Sequence, residues 1–216
     1  MGYEDNINDG YGQQFDDSLK NSNNLSGQST TFMTLFITEI IMVVSYAFTV
    51  IIAQLTQEPS IMMGGTLLVG MVAIFWIIAL VSLKSYSDTF KVAAGFFLAM
   101  TAITFLTQMF TVTGLLAIIA TVLLYAFCII FVLKFTQGCR EILRGKDAAL
   151  SANWKLYRNV TILLAVLGQI ILRVLILFAL GEIAKVVWIL ILIALFGMCI
   201  WHIVLVKKTD SALRIL

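Results

Sequence analysis

The sequence predicts an all-α integral membrane protein: six transmembrane helices arranged as three hairpins, both termini cytoplasmic, with a disordered N-terminal tail. Three observations carry this. Hydrophobic residues make up 61% of the 216 and charged residues only 12%, which leaves too little polar surface to cover a water-soluble core. The apolar residues gather in runs of about 20, the length that crosses roughly 30 Å of hydrocarbon. The basic residues lie almost entirely on one side of those runs.

Residues 1–30 are rich in Asn, Gly, Gln and Ser, with Glu4, Asp5, Asp9, Asp16 and Asp17 against the single Lys20. Such a stretch cannot bury enough apolar surface to order itself and reads as an acidic, polar, disordered cytoplasmic tail. The apolar run after it has no basic leader and is too long for a signal peptide, so it reads as a retained first span. Spans follow at 31–55, 61–83, 91–110, 114–133, 160–180 and 186–206. Thr111, Val112 and Thr113 join the third and fourth in a tight hairpin. The chain thus divides into a tail (1–30), helices 1–4 (31–133), a basic amphipathic cytoplasmic loop (134–159), helices 5 and 6 (160–206) and a short basic C-terminus (207–216).

Orientation rests on Lys and Arg. Of the fourteen, all but two lie on one side: Lys20; Lys84 and Lys91; Lys134, Arg140, Arg144, Lys146, Lys155 and Arg158; Lys207, Lys208 and Arg214. Lys185 alone lies opposite, and Arg173 sits inside the fifth span. The positive-inside rule therefore places both termini in the cytoplasm, in what is expected to be the plasma (cytoplasmic) membrane.

Polar residues separate the outgoing helices from the returning ones. At 100° per residue, Thr31, Thr34, Thr38, Ser45 and Thr49 share one face of the first span, with Glu39 at its edge. The third span repeats this with Thr101, Thr104, Gln108 and Thr111, and the fifth aligns Ala165, Gln169 and Arg173. Helices 1, 3 and 5 are expected to line a polar intramembrane pocket with Glu39, Gln169, Arg173 and Gln108; the alternative for the hydroxyls is bonding to their own helix's carbonyls. With a rise of 1.5 Å per residue from the cytoplasmic face, Glu39 lies about 12 Å deep, Gln169 about 14 Å and Arg173 about 20 Å. A direct Glu39–Arg173 pair, or one bridged by Gln169 or water, offsets the cost of an Arg in hydrocarbon, about 2.5 to 3.5 kcal/mol. Such a pair either locks the bundle or marks a ligand site. His202, the one histidine of the chain, lies near the cytoplasmic end of the last span and reads as an interfacial residue.

In the 134–159 loop, Cys139, Leu143, Leu150, Trp154 and Tyr157 share a helical face and basic residues occupy much of the rest, with a break at Gly145. This reads as an amphipathic segment in the headgroup region that docks lipid or a protein partner through Arg140, Arg144, Lys146, Trp154, Lys155, Tyr157 and Arg158.

Catalysis lacks its inventory. The spans hold neither HExxH nor GxSxG, no aspartate and no second histidine, and no phosphate-cradling loop or cofactor fingerprint occurs. Cys128, Cys139 and Cys199 lack a metal-binding or disulfide spacing. The sequence-level expectation is therefore a non-enzyme without catalytic residues, metal, cofactor or nucleic-acid partner. It is either a small-solute or ion transport component, or a non-catalytic scaffold or accessory subunit that recruits a partner through loop and tail. Its partners are the lipid bilayer and either another cytoplasmic or membrane protein or a second copy of itself.

Overall fold

The computed structural model describes residues 30–49, 51–52, 56, 59–110, 113–177 and 181–215. The N-terminal tail, up to residue 29, lies outside these residues. Among the described residues all regular structure is helical. Six long helices follow in order: α1 (Thr30–Thr49), then α2 (Pro59–Ser82), α3 (Asp88–Met109), α4 (Gly114–Ile142), α5 (Ala148–Leu177) and α6 (Gly181–Ile215). Among the described residues five stretches are long and apolar enough to cross a membrane: Thr30–Thr49, Gly64–Ser85, Asp88–Thr107, Gly114–Ile142 and Ile189–Arg214. The remaining span expected from the sequence, the fifth, falls on α5, whose first half carries Lys155 and Arg158 and whose described part ends at Leu177.

Local chemistry sets the ends. Pro59 opens α2 at a first-turn position, where its missing N–H is not needed. Past Ser82 the chain tightens into one 3-10 turn, Leu83–Ser85. Ser87 then adopts extended backbone and caps α3, its Oγ accepting from Thr89 N–H at 3.2 Å. The same hydroxyl donates to Glu141 Oε2 at 2.5 Å, tying the α2–α3 turn to the end of α4. Gly145 provides the left-handed residue (φ +77°) of the α4–α5 turn. Asp147 Oδ1 then caps α5 by accepting from Leu150 N–H at 2.8 Å.

The core sits at one end of the bundle. Its most buried side chains are Phe32 and Leu35 at the start of α1, Leu80 and Leu83 at and just past the end of α2, and Phe90 and Ala93 at the start of α3. Phe135 and Cys139 near the end of α4, Trp154 at the start of α5, and Leu205, Val206 and Leu213 near the end of α6 complete it. Rings link the helices: Phe32 to Phe90 at 6.3 Å, Phe90 to Phe135 at 5.8 Å and Phe135 to Trp154 at 5.6 Å. This is the basic end. Farther along, apolar side chains face outward, with Leu115 71% and Ile193 63% exposed. The asymmetry has a physical reason. Lipid tails solvate apolar side chains as well as a neighbouring helix does, so packing is driven hardest where helices emerge into water.

Two boundaries differ from expectation for that reason. The stretch 134–159 is not a separate loop lying on the membrane: α4 runs on to Ile142, and α5 already begins at Ala148. The face shared by Cys139, Leu143, Leu150, Trp154 and Tyr157 is buried, but against the bundle rather than in headgroups. The C-terminus is likewise no free basic tail. It continues α6 to Ile215, with Thr209, Asp210 and Leu213 buried, and Arg214 Nε lies 3.2 Å from Asp210 Oδ2.

Close helix approach is sharpest at Gly138, where an added Cβ meets Phe90 Cζ at 2.7 Å and Thr89 Oγ1 at 2.8 Å. Phe90 is fully buried and has no room to retreat. Gly138→Ala is expected to cost about 1 to 3 kcal/mol by overpacking. Gly95→Ala, on an open helical face, is expected to be neutral or slightly stabilising. Thermal unfolding of both variants in detergent checks the contrast.

Candidate functional site

The site starts from two helical stripes. On α1, Phe32, Leu35 and Glu39 recur at spacings of three and four, and all three are buried. On α6, Met198, His202, Leu205, Thr209 and Leu213 do the same. Where the stripes meet, Glu39 Oε1 and His202 Nδ1 lie 2.5 Å apart, with both side chains at least nine-tenths buried. An ionised Glu39 accepts from Nδ1–H, so the carboxylate selects which imidazole nitrogen carries the proton.

Aromatic rings from α4 and α5 enclose the imidazole: Phe135 at 5.1 Å, Tyr157 at 5.3 Å and Trp154 at 5.5 Å. Trp154 is fully buried and donates from Nε1 to Thr209 Oγ1 at 3.0 Å, which fixes α5 against α6. Tyr157 packs edge-on against Trp201 at 5.6 Å. One helical turn toward the basic end, Lys207 Nζ lies 3.5 Å from Met33 Sδ and 5.2 Å from the Phe36 ring centroid, a second α1–α6 contact.

Two polar atoms of the pair are left over. Glu39 Oε2 and His202 Nε2 are buried and have no hydrogen-bond partner among the described residues. An orphaned buried polar atom forgoes about 1 to 3 kcal/mol, so a pair that leaves two of them calls for a functional reason. The arrangement can hold one proton between carboxylate and imidazole and present a second acceptor or donor on either side. His202 is therefore a buried partner of Glu39, not the interfacial residue expected from its position.

The other anticipated residues separate. The side chains of Gln108, Gln169 and Arg173 lie outside the described residues, as does any pairing of Arg173 with Glu39. The hydroxyl stripes bond within their own helices: Thr34 to Thr30 O at 3.0 Å, Thr38 to Thr34 O at 2.8 Å, Thr49 to Ser45 O at 2.8 Å and Thr101 to Phe97 O at 2.9 Å. A cavity of about 210 Å³ lies between α1, α2 and α3, lined by Met42, Thr66, Gly70, Phe97, Thr101 and Thr104 among others. Its lining is largely apolar, and it starts three residues past Glu39, roughly one helical turn.

Of the docking residues, Trp154 and Tyr157 are buried inside the chain and offer no outer surface. Arg140, Arg144 and Lys155 line a groove where α4 gives way to α5. Among the described residues no three His, Cys, Asp or Glu side chains come together as metal ligands.

The sequence signal for His202 was present in the buried stripe of α6. A histidine four residues from Met198 and three from Leu205 points inward with them. Compared with known families, with curated proteins and with solved structures, the chain finds no match.

Proposed function

We propose that this multi-pass membrane protein is a transport component for a small solute or ion. In this reading it is non-catalytic, resides in the plasma membrane with both termini cytoplasmic, and uses the Glu39–His202 pair as its proton-exchanging centre. The observation that carries this is the pair itself. A carboxylate and an imidazole meet within two apolar helices, each with a buried polar atom unused, and ionisable groups kept at such depth mark proton relays and substrate paths. The cavity between α1, α2 and α3 supports it, since it brings a small volume to within a turn of Glu39. Glu39 and His202 sit on the first and last helices, so a proton that strengthens or weakens their bond alters how the bundle closes.

The test uses wild-type protein in liposomes loaded with a pH-sensitive dye. Alkali cations, amino acids and small carboxylates are presented one at a time. Proton entry that depends on one of these solutes is expected for wild type and lost, by a factor of at least about ten, in Glu39→Gln, the usual order for removing a proton-transfer group. Folded wild-type protein that moves no proton with any of them contradicts the proposal.

A second reading, a non-catalytic scaffold or accessory subunit, is favoured by the concentration of the packed core at the basic end. A partner would there meet a rigid surface. It predicts a co-purifying protein that is lost in Arg144→Ala/Lys146→Ala, checked by affinity purification in mild detergent.

A further inference from the structure

We propose that the groove between the end of α4 and the start of α5 binds the phosphomonoester headgroup of an anionic lipid. This inference is independent of the transport reading. The groove has a volume of about 630 Å³, and its lining includes Arg140, Arg144, Gly145, Ala148, Ala152 and Lys155. Three cations from two helices and the turn between them therefore converge on one space. None of the three forms an ion pair with another described residue. The one carboxylate on the rim is already engaged: Glu141 Oε2 accepts from Ser87 and Oε1 accepts from Gln137 Nε2 at 2.8 Å.

Arg140 supplies the sharpest sign of a missing acceptor. Its Nε is buried yet has no hydrogen-bond partner among the described residues. An N–H of a guanidinium withdrawn from water and left unbonded is costly, and a phosphate oxygen is the acceptor that suits its planar fork. The walls leave room for one. Ala148 and Ala152 are small, and a Cβ at Gly145 would meet nothing within 4 Å. The walls are also rigid, because Cys139, Leu150 and Trp154 of the same segments are buried in the core.

Depth selects the source of the phosphate. The apolar run of α4 ends at Leu133, and Arg140 stands about 10 Å beyond it at 1.5 Å per residue. The headgroup layer is about 5 to 8 Å deep on each side of a bilayer about 40 to 45 Å thick. The Arg140 backbone therefore stands just outside it, within reach of the headgroups for a long side chain that leans back toward its helix N-terminus. Three cations against the single Glu141 carboxylate leave the groove with a net positive charge of about two, which suits a group with more than one negative charge, hence a monoester in preference to a phosphodiester.

Native mass spectrometry of the full chain, released from nanodiscs of phosphatidylcholine with phosphatidic acid or phosphatidylserine, tests this. Wild type is expected to retain phosphatidic acid in preference to both other lipids. Arg140→Gln/Lys155→Gln should weaken that retention by roughly tenfold or more, the scale of one lost charge-assisted bond. Lys84→Gln/Lys208→Gln removes the same charge from the same end and should change it less than about twofold, since neither residue lines the groove and isolated exposed charges act weakly. Lys155→Gln alone keeps Arg140 and serves if the double variant fails to fold. Equal losses in the two double variants, or equal retention of phosphatidylserine, overturn the site. Displacement of the lipid by inorganic phosphate at matched concentration overturns the lipid as occupant.

Discussion

Trp154→Ala is expected to lower the unfolding free energy by about 3 to 5 kcal/mol, the usual cost of emptying a fully buried tryptophan site. The Trp154 side chain joins three helices at the packed end. Its ring meets Phe135 of α4, Tyr157 of its own helix and His202 of α6, and its Nε1 is held by Thr209. Removing it leaves a cavity walled by aromatic rings that cannot close in, and it orphans the environment of the imidazole as well. Trp154→Phe should recover most of the loss. What stays lost is the bond to Thr209, about 1 kcal/mol. Thermal or denaturant unfolding in detergent micelles checks both, with Leu115→Ala as a control at a position that faces outward. A Trp154→Ala variant no less stable than that control contradicts the placement of the core.

Glu39→Leu is expected to cost about 2 kcal/mol, because it strands His202 Nδ1 in a ring-lined site with no acceptor. His202→Phe keeps the aromatic packing and removes only the polar contact, stranding the carboxylate in turn. The two changes together should cost less than their sum. A double-mutant cycle is expected to give a coupling of about 1 to 3 kcal/mol, the range for residues in direct contact. A coupling near zero would mean that the two groups do not share a hydrogen bond. Deleting both partners removes the orphaned atoms too, so the double variant can approach wild-type stability while losing any proton-linked function.

What was legible in the sequence was the helix count and the position of most helix ends. Runs of apolar residues broken at Pro59, Ser87, Gly114 and Gly145 declare themselves through backbone chemistry alone. So does the gathering of basic residues at one end, where the chain turns at 83–87 and 143–147. The face of Cys139, Leu143, Leu150, Trp154 and Tyr157 was also legible, but not what it touches. A stripe with apolar residues on one side and cations on the other fits a headgroup layer as well as a bundle, and only the other helices' aromatic residues decide between them.

The site was harder to read. Glu39 stands out in the sequence because charge in hydrocarbon is costly, and Arg173, the other charge within a span, is the partner the sequence suggests. The hydroxyl stripe suggests the inward face. In the structure the threonines are satisfied by their own backbone, so they exert little pull on helix rotation, and the bulky Phe32 and Leu35 choose the face that turns inward. Glu39 is carried inward with them. His202 looked solitary because its partner is distant in sequence, and pairing across 163 positions is set by helix packing, which no local pattern records.

The most direct test of the central claim, that Glu39 and His202 share one hydrogen bond inside the bundle, is infrared difference spectroscopy of the reconstituted protein, wild type minus variant. A Glu39 carboxyl band is expected in wild type, absent in Glu39→Gln and moved in frequency in His202→Phe, where the imidazole no longer contacts it. A Glu39 band at the same frequency with and without the imidazole would contradict the pairing.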